Sequence, residues 1–167
     1  HQFSKMKYEI SPIINPGELI LLKKTSDIVI IDARTGKDAE ANYLKEHLDG
    51  ALRVNLDTEL ADIKPDVSDG GRHPLPKLEK FSSVLNRLGI TSSSHIVIYD
   101  DKNASNAAAR FWWMLKSIGH EKVQVINGGL IAAINAGFPV SSKEEITLFS
   151  TFYQNIRWTL PLVNMEE

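Results

Sequence analysis

The sequence contains no cysteine. This excludes disulfides, thiolate metal sites and thiol nucleophiles together. Neither charge is in marked excess: 19 basic residues stand against 21 acidic ones, a formal net charge of -2, with no block of like charge. Nucleic acid and membrane are therefore not expected as partners. No apolar run is long enough to span a bilayer, and the opening His1-Gln2-Phe3-Ser4-Lys5 lacks the apolar core of a secretory signal. A cytoplasmic location is the expected default. Ser105 has no Gly-x-Ser-x-Gly context and no evident histidine and acid partners, so a serine nucleophile is not expected. Asn127-Gly128-Gly129 lacks the Gly-Lys-Ser/Thr ending of a phosphate loop and reads as a tight turn into a helix. Neither cofactor nor metal is expected.

What is present is a core. With 43% hydrophobic residues in 167, the chain suits one ordinary domain plus a tail. Asp27 to Asp32 and His95 to Asp100 are continuous β-branched runs ending in an acid, the pattern of strands buried on both faces of a parallel sheet. Lys122 to Ile126 is a third such run. Between them, Lys77 to Leu88 sets Leu78, Phe81, Leu85 and Leu88 on one helical stripe, and Ser105 to Ile118 is rich in alanine and long side chains. Strand, helix, strand, helix in this order predicts an α/β fold with a mainly parallel sheet. Its functional rim is expected where the loops leave the strands, at Ala33, Asp101 and Asn127.

Asp57 to Pro76, with its prolines and the Gly70-Gly71 pair, is expected to be a long loop over one sheet edge, and long ordered loops often belong to a site. After Gly137-Phe138-Pro139 the periodicity fades. The domain is therefore expected over residues 1–140, with Ser141 to Thr159 as a linker. An internal echo follows: Pro12-Ile13-Ile14-Asn15-Pro16-Gly17-Glu18 and Pro161-Leu162-Val163-Asn164-Met165-Glu166-Glu167 share proline, two aliphatics, asparagine and a later glutamate in register. On this reading residues 141–167 hold a linker and the start of a second copy of the domain.

Several local patterns occur in a fixed order. They are Ile31-Asp32-Ala33-Arg34, His47-Leu48-Asp49-Gly50-Ala51, His73-Pro74-Leu75-Pro76, Val97-Ile98-Tyr99-Asp100 and Ala108-Ala109-Arg110-Phe111-Trp112-Trp113, followed by Gly119-His120 and Asn127-Gly128-Gly129. The ordered set, from about Ile10 to Val140, resembles the rhodanese family, specifically the first domain of its two-domain members. The turn at His47 is similar to the family's His-Ile-Pro-Gly-Ala, with Asp49 in place of proline.

The resemblance implies a three-layer α/β/α fold and a sulfurtransferase that moves sulfane sulfur from thiosulfate or 3-mercaptopyruvate to a thiophilic acceptor. In the family, a cysteine at the tip of a central strand takes the sulfur as a persulfide, inside a nest of backbone N–H groups that stabilises the anion. At the matching position this chain has Asp100, followed by Asp101, Lys102, Asn103, Ala104, Ser105 and Asn106. A carboxylate cannot become a persulfide. The resemblance thus implies the non-catalytic half of a tandem protein, its partner a carboxy-terminal catalytic rhodanese domain, with a small anionic sulfur donor in the shared cleft. His73 matches a histidine that reaches that cleft, and Asn106 stands where some members have tyrosine.

For the other polar residues the structural role is favoured. Asp32 is expected to take loop amides or a cation, Arg34 to form an ion pair, and His47, before a turn, to have a satisfied structural role. Arg110 with Trp112 and Trp113 alternates cation and ring as a nucleic-acid platform does, but lacks a basic stripe, so the rings are expected to divide between core and domain interface. Phe111, Trp113, Phe149, Phe152 and Trp158 are the candidates for an apolar face exposed to the second domain. Two other functions stay open. One is a stand-alone inactive module that binds proteins. The other is a receiver-type phosphoacceptor, with Asp32, Asp100 and Asp101 around a divalent cation.

Overall fold

The computed structural model describes residues 10–60, 76–101, 106–147, 151–154 and 156–159. In chain order it comprises β1 (Ile13–Ile14), α1 (Pro16–Thr25), β2 (Ile28–Asp32), α2 (Ala39–Lys45), β3 (His47–Leu48), β4 (Leu52–Arg53), a π-helical turn (Leu56–Leu60), α3 (Leu78–Arg87), β5 (His95–Tyr99), α4 (Ala107–Ser117), β6 (Val123–Ile126), α5 (Gly129–Asn135) and β7 (Val140–Ser141). Five strands form one parallel sheet in the order β1-β6-β5-β2-β4. A small antiparallel pair, β3 with β7, lies apart.

The alternation of side chains explains why the strands read as unbroken apolar runs. Ile31 of β2 and Ile96 and Ile98 of β5 enter one core with Phe81, Leu85, Phe111 and Leu115 of α3 and α4. Ile30, Val97 and Tyr99 enter the other with Leu19 of α1 and Leu130 and Ala133 of α5. Each strand is thus covered on both faces, giving the mainly parallel sheet expected from the strand and helix order and the three layers that the resemblance implies. Local signals set the helix ends: α1 begins at Pro16, and the Asn15 amide donates to Glu18 Oε1 at 3.0 Å, half of a capping box. The turn before α5 needs glycine at 128, where φ is +86° and a Cβ would come within 2.5 Å of Ala132 Cβ.

Three expectations change. The long loop starts later than Asp57, because Leu56 and Leu60 bury themselves and wind the chain between them into a helical turn. Residues 61–75 lie outside the described residues. Part of the segment expected as a linker runs back across the α3/α4 face. Thr151 donates its amide to Asn86 O at 3.0 Å and its hydroxyl to Ile90 O at 2.8 Å, and the Tyr153 amide reaches Asn86 Oδ1 at 3.0 Å. Trp158 stacks on Phe81 with centroids 5.3 Å apart, and Thr159 Oγ1 donates to Ser117 O at 3.0 Å. The proposed exposed apolar face breaks up accordingly: Phe111 is fully buried core, Trp113 and Trp158 pack partly against that core, and Phe152 is exposed. Phe149 lies outside the described residues. No described helix is long and apolar enough to cross a membrane.

Candidate functional site

The carboxyl ends of β2 and β5 lie side by side, with Asp32 paired in register to Tyr99. The rim built there is dominated by a buried polar cluster. Arg34 approaches the fully buried Asp32 carboxylate edge-on, with Nε 3.0 Å and Nη2 2.7 Å from Oδ2, and its own amide donates to Oδ1 at 3.0 Å. Tyr99 Oη donates to Asp32 Oδ2 at 2.8 Å and accepts the Leu48 amide at 3.1 Å. Arg34 Nη2 also donates to Glu46 O at 2.8 Å. Burial opposes the charge on Arg34, but the hydrogen bond and charge of Asp32 outweigh it and push its pKa up. Burial and then the Asp32 charge push the Tyr99 phenol up, so it stays a donor. This is an internally closed network: the Arg34 edge that would grip an oxyanion already holds Asp32.

Asp100 follows at the tip of β5. The residue is 5% exposed; its Oδ2 accepts the Ala108 amide at 2.9 Å, while its carbonyl accepts the Leu130 amide at 3.0 Å. The side chain therefore caps the amino terminus of α4 from the preceding strand, where N–H groups have no helical partner. Asn106 is immediately before α4 in the left-handed region (φ 51°, ψ 40°), the only non-glycine residue with positive φ among the described residues. Asp101 is exposed. Lys102 and His73 lie outside the described residues, as do Asn103, Ala104 and Ser105.

Arg110 projects from α4 toward Asp57, Nη2 to Oδ1 at 3.4 Å, and its Nε is buried with no hydrogen-bond partner among the described residues. Trp112 donates its indole N–H to Val123 O at 3.0 Å, so the alternating residues do not form a stacking platform. His47 is fully buried and stacked on Tyr43. Its Nδ1 lies 2.6 Å from Tyr43 O, and because a carbonyl only accepts, that nitrogen carries the proton; the expected full satisfaction is not reached, since the buried Nε2 has no hydrogen-bond partner among the described residues.

Among the described residues no cluster of histidine, aspartate and glutamate is arranged to hold a metal ion. The Asp32 carboxylate is taken by Arg34 and Tyr99 rather than presented to a cation, which removes the basis for the receiver-type reading. Two members of the cluster escaped the sequence reading. Tyr99 was legible only as a strand residue. Arg53 donates Nη1 to Asp32 O at 3.2 Å and Val54 O at 2.6 Å, but sits in a two-residue strand that carries no periodic signal.

A family model described as Rhodanese-like domain matches residues 15–135. SseB of Mycobacterium tuberculosis, named as a candidate thiosulfate sulfurtransferase, is 37% identical over 136 residues, 79% of this chain and 47% of its own length. The 3-mercaptopyruvate sulfurtransferase of Mus musculus is 31% identical over 113 residues, 67% of this chain and 36% of its own. The solved 3-mercaptopyruvate sulfurtransferase from Leishmania major superposes with a TM-score of 0.72 at 31% identity, covering 85% of this chain and 40% of that one. The chain thus spans less than half the length of these relatives.

Proposed function

The chain belongs to the rhodanese-like domain family, and we propose that within it this is the non-catalytic half of a two-domain sulfurtransferase. On this reading residues 1–140 are the inactive copy of the domain, and residues 141–167 lead into a second copy. That second domain carries the cysteine that accepts sulfane sulfur from thiosulfate or 3-mercaptopyruvate as a persulfide and hands it to a thiophilic acceptor. The observation that carries the proposal is the Asp100 carboxylate bound to the Ala108 amide at the strand tip. A negative group already occupies the place where the family resemblance puts the persulfide, and it is one that cannot accept sulfur.

The lengths of the relatives support a second domain in the same protein. In the joined protein, His73 is assigned to the shared cleft, where its imidazole donates to the anionic sulfur donor. His73→Ala then raises KM for the donor with little change in stability, since loop side chains of this kind cost under about 0.5 kcal/mol.

Steady-state assays with thiosulfate and with 3-mercaptopyruvate, cyanide as acceptor, test the core of the proposal. Purified chain is expected to give no turnover above the uncatalysed rate with either donor. Turnover by the pure chain would overturn the assignment. The alternative, a stand-alone protein-binding module, draws support from the way Phe111 and Trp158 are covered within this one unit. The coding sequence beyond Glu167 separates the two readings.

A further inference from the structure

Beside β4, the outer strand of the sheet on the side away from β1, lies a cavity of about 260 Å³. Leu52, Leu88 and Ile146 form its apolar walls, and Arg53 lies against it from β4. The Arg53 side chain is only 9% exposed. Its Nη1 is fixed by the carbonyls of Asp32 and Val54. Its other two nitrogens, Nε and Nη2, are buried and have no hydrogen-bond partner among the described residues. These two share one edge of the guanidinium, and their N–H bonds run parallel, the fork that matches the two oxygens of a carboxylate.

Charge adds to the geometry. Arg34 and Arg53 flank the single buried carboxylate of Asp32, 2.7 Å and 3.8 Å away, so this interior cluster holds one positive charge more than negative. Buried donors without a hydrogen bond and a buried charge in excess both favour a better-placed anion on this edge. Glu40 is ion-paired with this edge, its Oε1 3.4 Å from Nε, but it makes no hydrogen bond there and its side chain is 61% exposed, so the pair is a loose one at the surface. The mouth is acidic. Glu144 and Glu145 line it with Glu40, whereas Glu59 is held by Arg87. The Tyr43 hydroxyl is already engaged, donating to Ala51 O and accepting the Glu145 amide.

A bare anion would be drawn to the Arg53 edge and repelled by the mouth. A molecule that brings a cation next to its carboxylate satisfies both. We propose that this cavity binds a small α-amino acid as its zwitterion, the carboxylate on the Nε and Nη2 edge of Arg53 and the ammonium toward Glu144 and Glu145. The volume suits a small or medium side chain against Leu52, Leu88 and Ile146 and is below that of sites for drug-sized ligands. Binding displaces Glu40 from the front of the fork. The site lies at the outer sheet edge, and nothing in its construction depends on the sulfurtransferase reading.

The test is titration of the full 167-residue chain, followed by amide and arginine Nε–H NMR shifts, with L-alanine and L-leucine as probes and with acetate and methylammonium as half-ligands. Saturable shifts at Arg53, Leu52 and Ile146 are expected with the amino acids, weaker ones with acetate and none with methylammonium. Glu144→Gln combined with Glu145→Gln changes side chains outside the core; it is expected to weaken amino-acid binding about tenfold while strengthening acetate. Arg53→Lys keeps the charge, loses the fork and is expected to abolish both. If Arg53→Lys fails to fold beside Asp32, the opposite response of the two probes to the glutamine pair still decides the matter. No saturable shift with either amino acid, or amino acid and acetate responding alike to the glutamine pair, would overturn the proposal and leave Glu40 as the fork's own partner.

Discussion

The Asp100 carboxylate accepts the amide of Ala108 at 2.9 Å, joining the end of β5 to the start of α4. This bond gives Asp100 a structural role independent of any chemistry. A side-chain cap of a helix amino terminus is worth about 1 kcal/mol. Asp100→Ala is therefore expected to lower stability by about that amount, and Asp100→Asn, which keeps an acceptor oxygen, by clearly less. Urea melts of the two variants check this, and equal losses would mean that the cap contributes nothing.

A cysteine at the same position should not make an enzyme. A thiolate placed there would meet the neighbouring Asp101 charge, which opposes formation of an anionic persulfide. Asp100→Cys is expected to transfer no sulfur from thiosulfate or 3-mercaptopyruvate above the uncatalysed rate. Cyanide-linked assays with both donors measure it, and multiple turnovers would show that the loop retains a working nest.

The pair of Asp32 and Arg34 sets up a harsher outcome. Removing one partner of a buried ion pair strands the other charge, at a cost of about 3–5 kcal/mol. Arg34→Met is expected to lose stability at the lower end of that range, since Arg53 and Tyr99 still face Asp32. Chemical denaturation gives the value, and a loss under about 1 kcal/mol would mean that Arg53 takes over the carboxylate.

Acid should destabilise the fold through His120. The ring is 1% exposed and spans two elements: Nε2 donates to Ser94 O at 2.8 Å, so Nδ1 is left to accept the Tyr153 hydroxyl at 2.7 Å. Burial, with some repulsion from Lys116, lowers its pKa below the ordinary 6.5. The unfolded chain then binds the proton more readily than the folded one. Stability from the neutral ring is complete above about pH 6.5 and falls as pH drops below it, by at most about 1.4 kcal/mol per pH unit for one group. Melting temperatures between pH 8 and 5 should show the decline. His120→Asn should be less stable at pH 8 and flatter in profile, and an unchanged slope would assign the acid sensitivity to other groups.

The legibility of these features in the sequence follows from their range. Strands β2, β5 and β6 announce themselves because burial on both faces demands an apolar residue at nearly every position, and α3 because its apolar stripe recurs every three or four residues. Asp100 is legible as the acid that closes the apolar run of β5. Arg53 and Tyr153 are not, since each acts through partners far away in the chain: Asp32 for the first, Asn86 and His120 for the second. No local pattern encodes such a contact. The same holds for Thr151, Tyr153, Trp158 and Thr159, which lie in a stretch that reads as a linker although these residues are seated on the body of the domain.

That seating yields the last prediction. Trp158 lies over Phe81 at 5.3 Å between centroids, Thr159 accompanies it with two hydrogen bonds to Ser117 O, and Tyr153 closes the other end on His120. A passive linker would leave these groups in water. Fully buried aromatic residues cost about 3–5 kcal/mol when cut to alanine, and Trp158 is only partly covered, so Trp158→Ala is expected to cost roughly 2 kcal/mol. Tryptophan emission of the unsubstituted chain supplies a second readout, because release of the segment in urea shifts the Trp158 contribution to longer wavelength while Trp112 and Trp113 stay on α4. If Trp158→Ala leaves the urea midpoint unchanged, the segment rests on the α3/α4 face without stabilising it. A lowered midpoint makes residues 151–159 an integral part of the domain, and any second domain must then be reached from beyond Thr159.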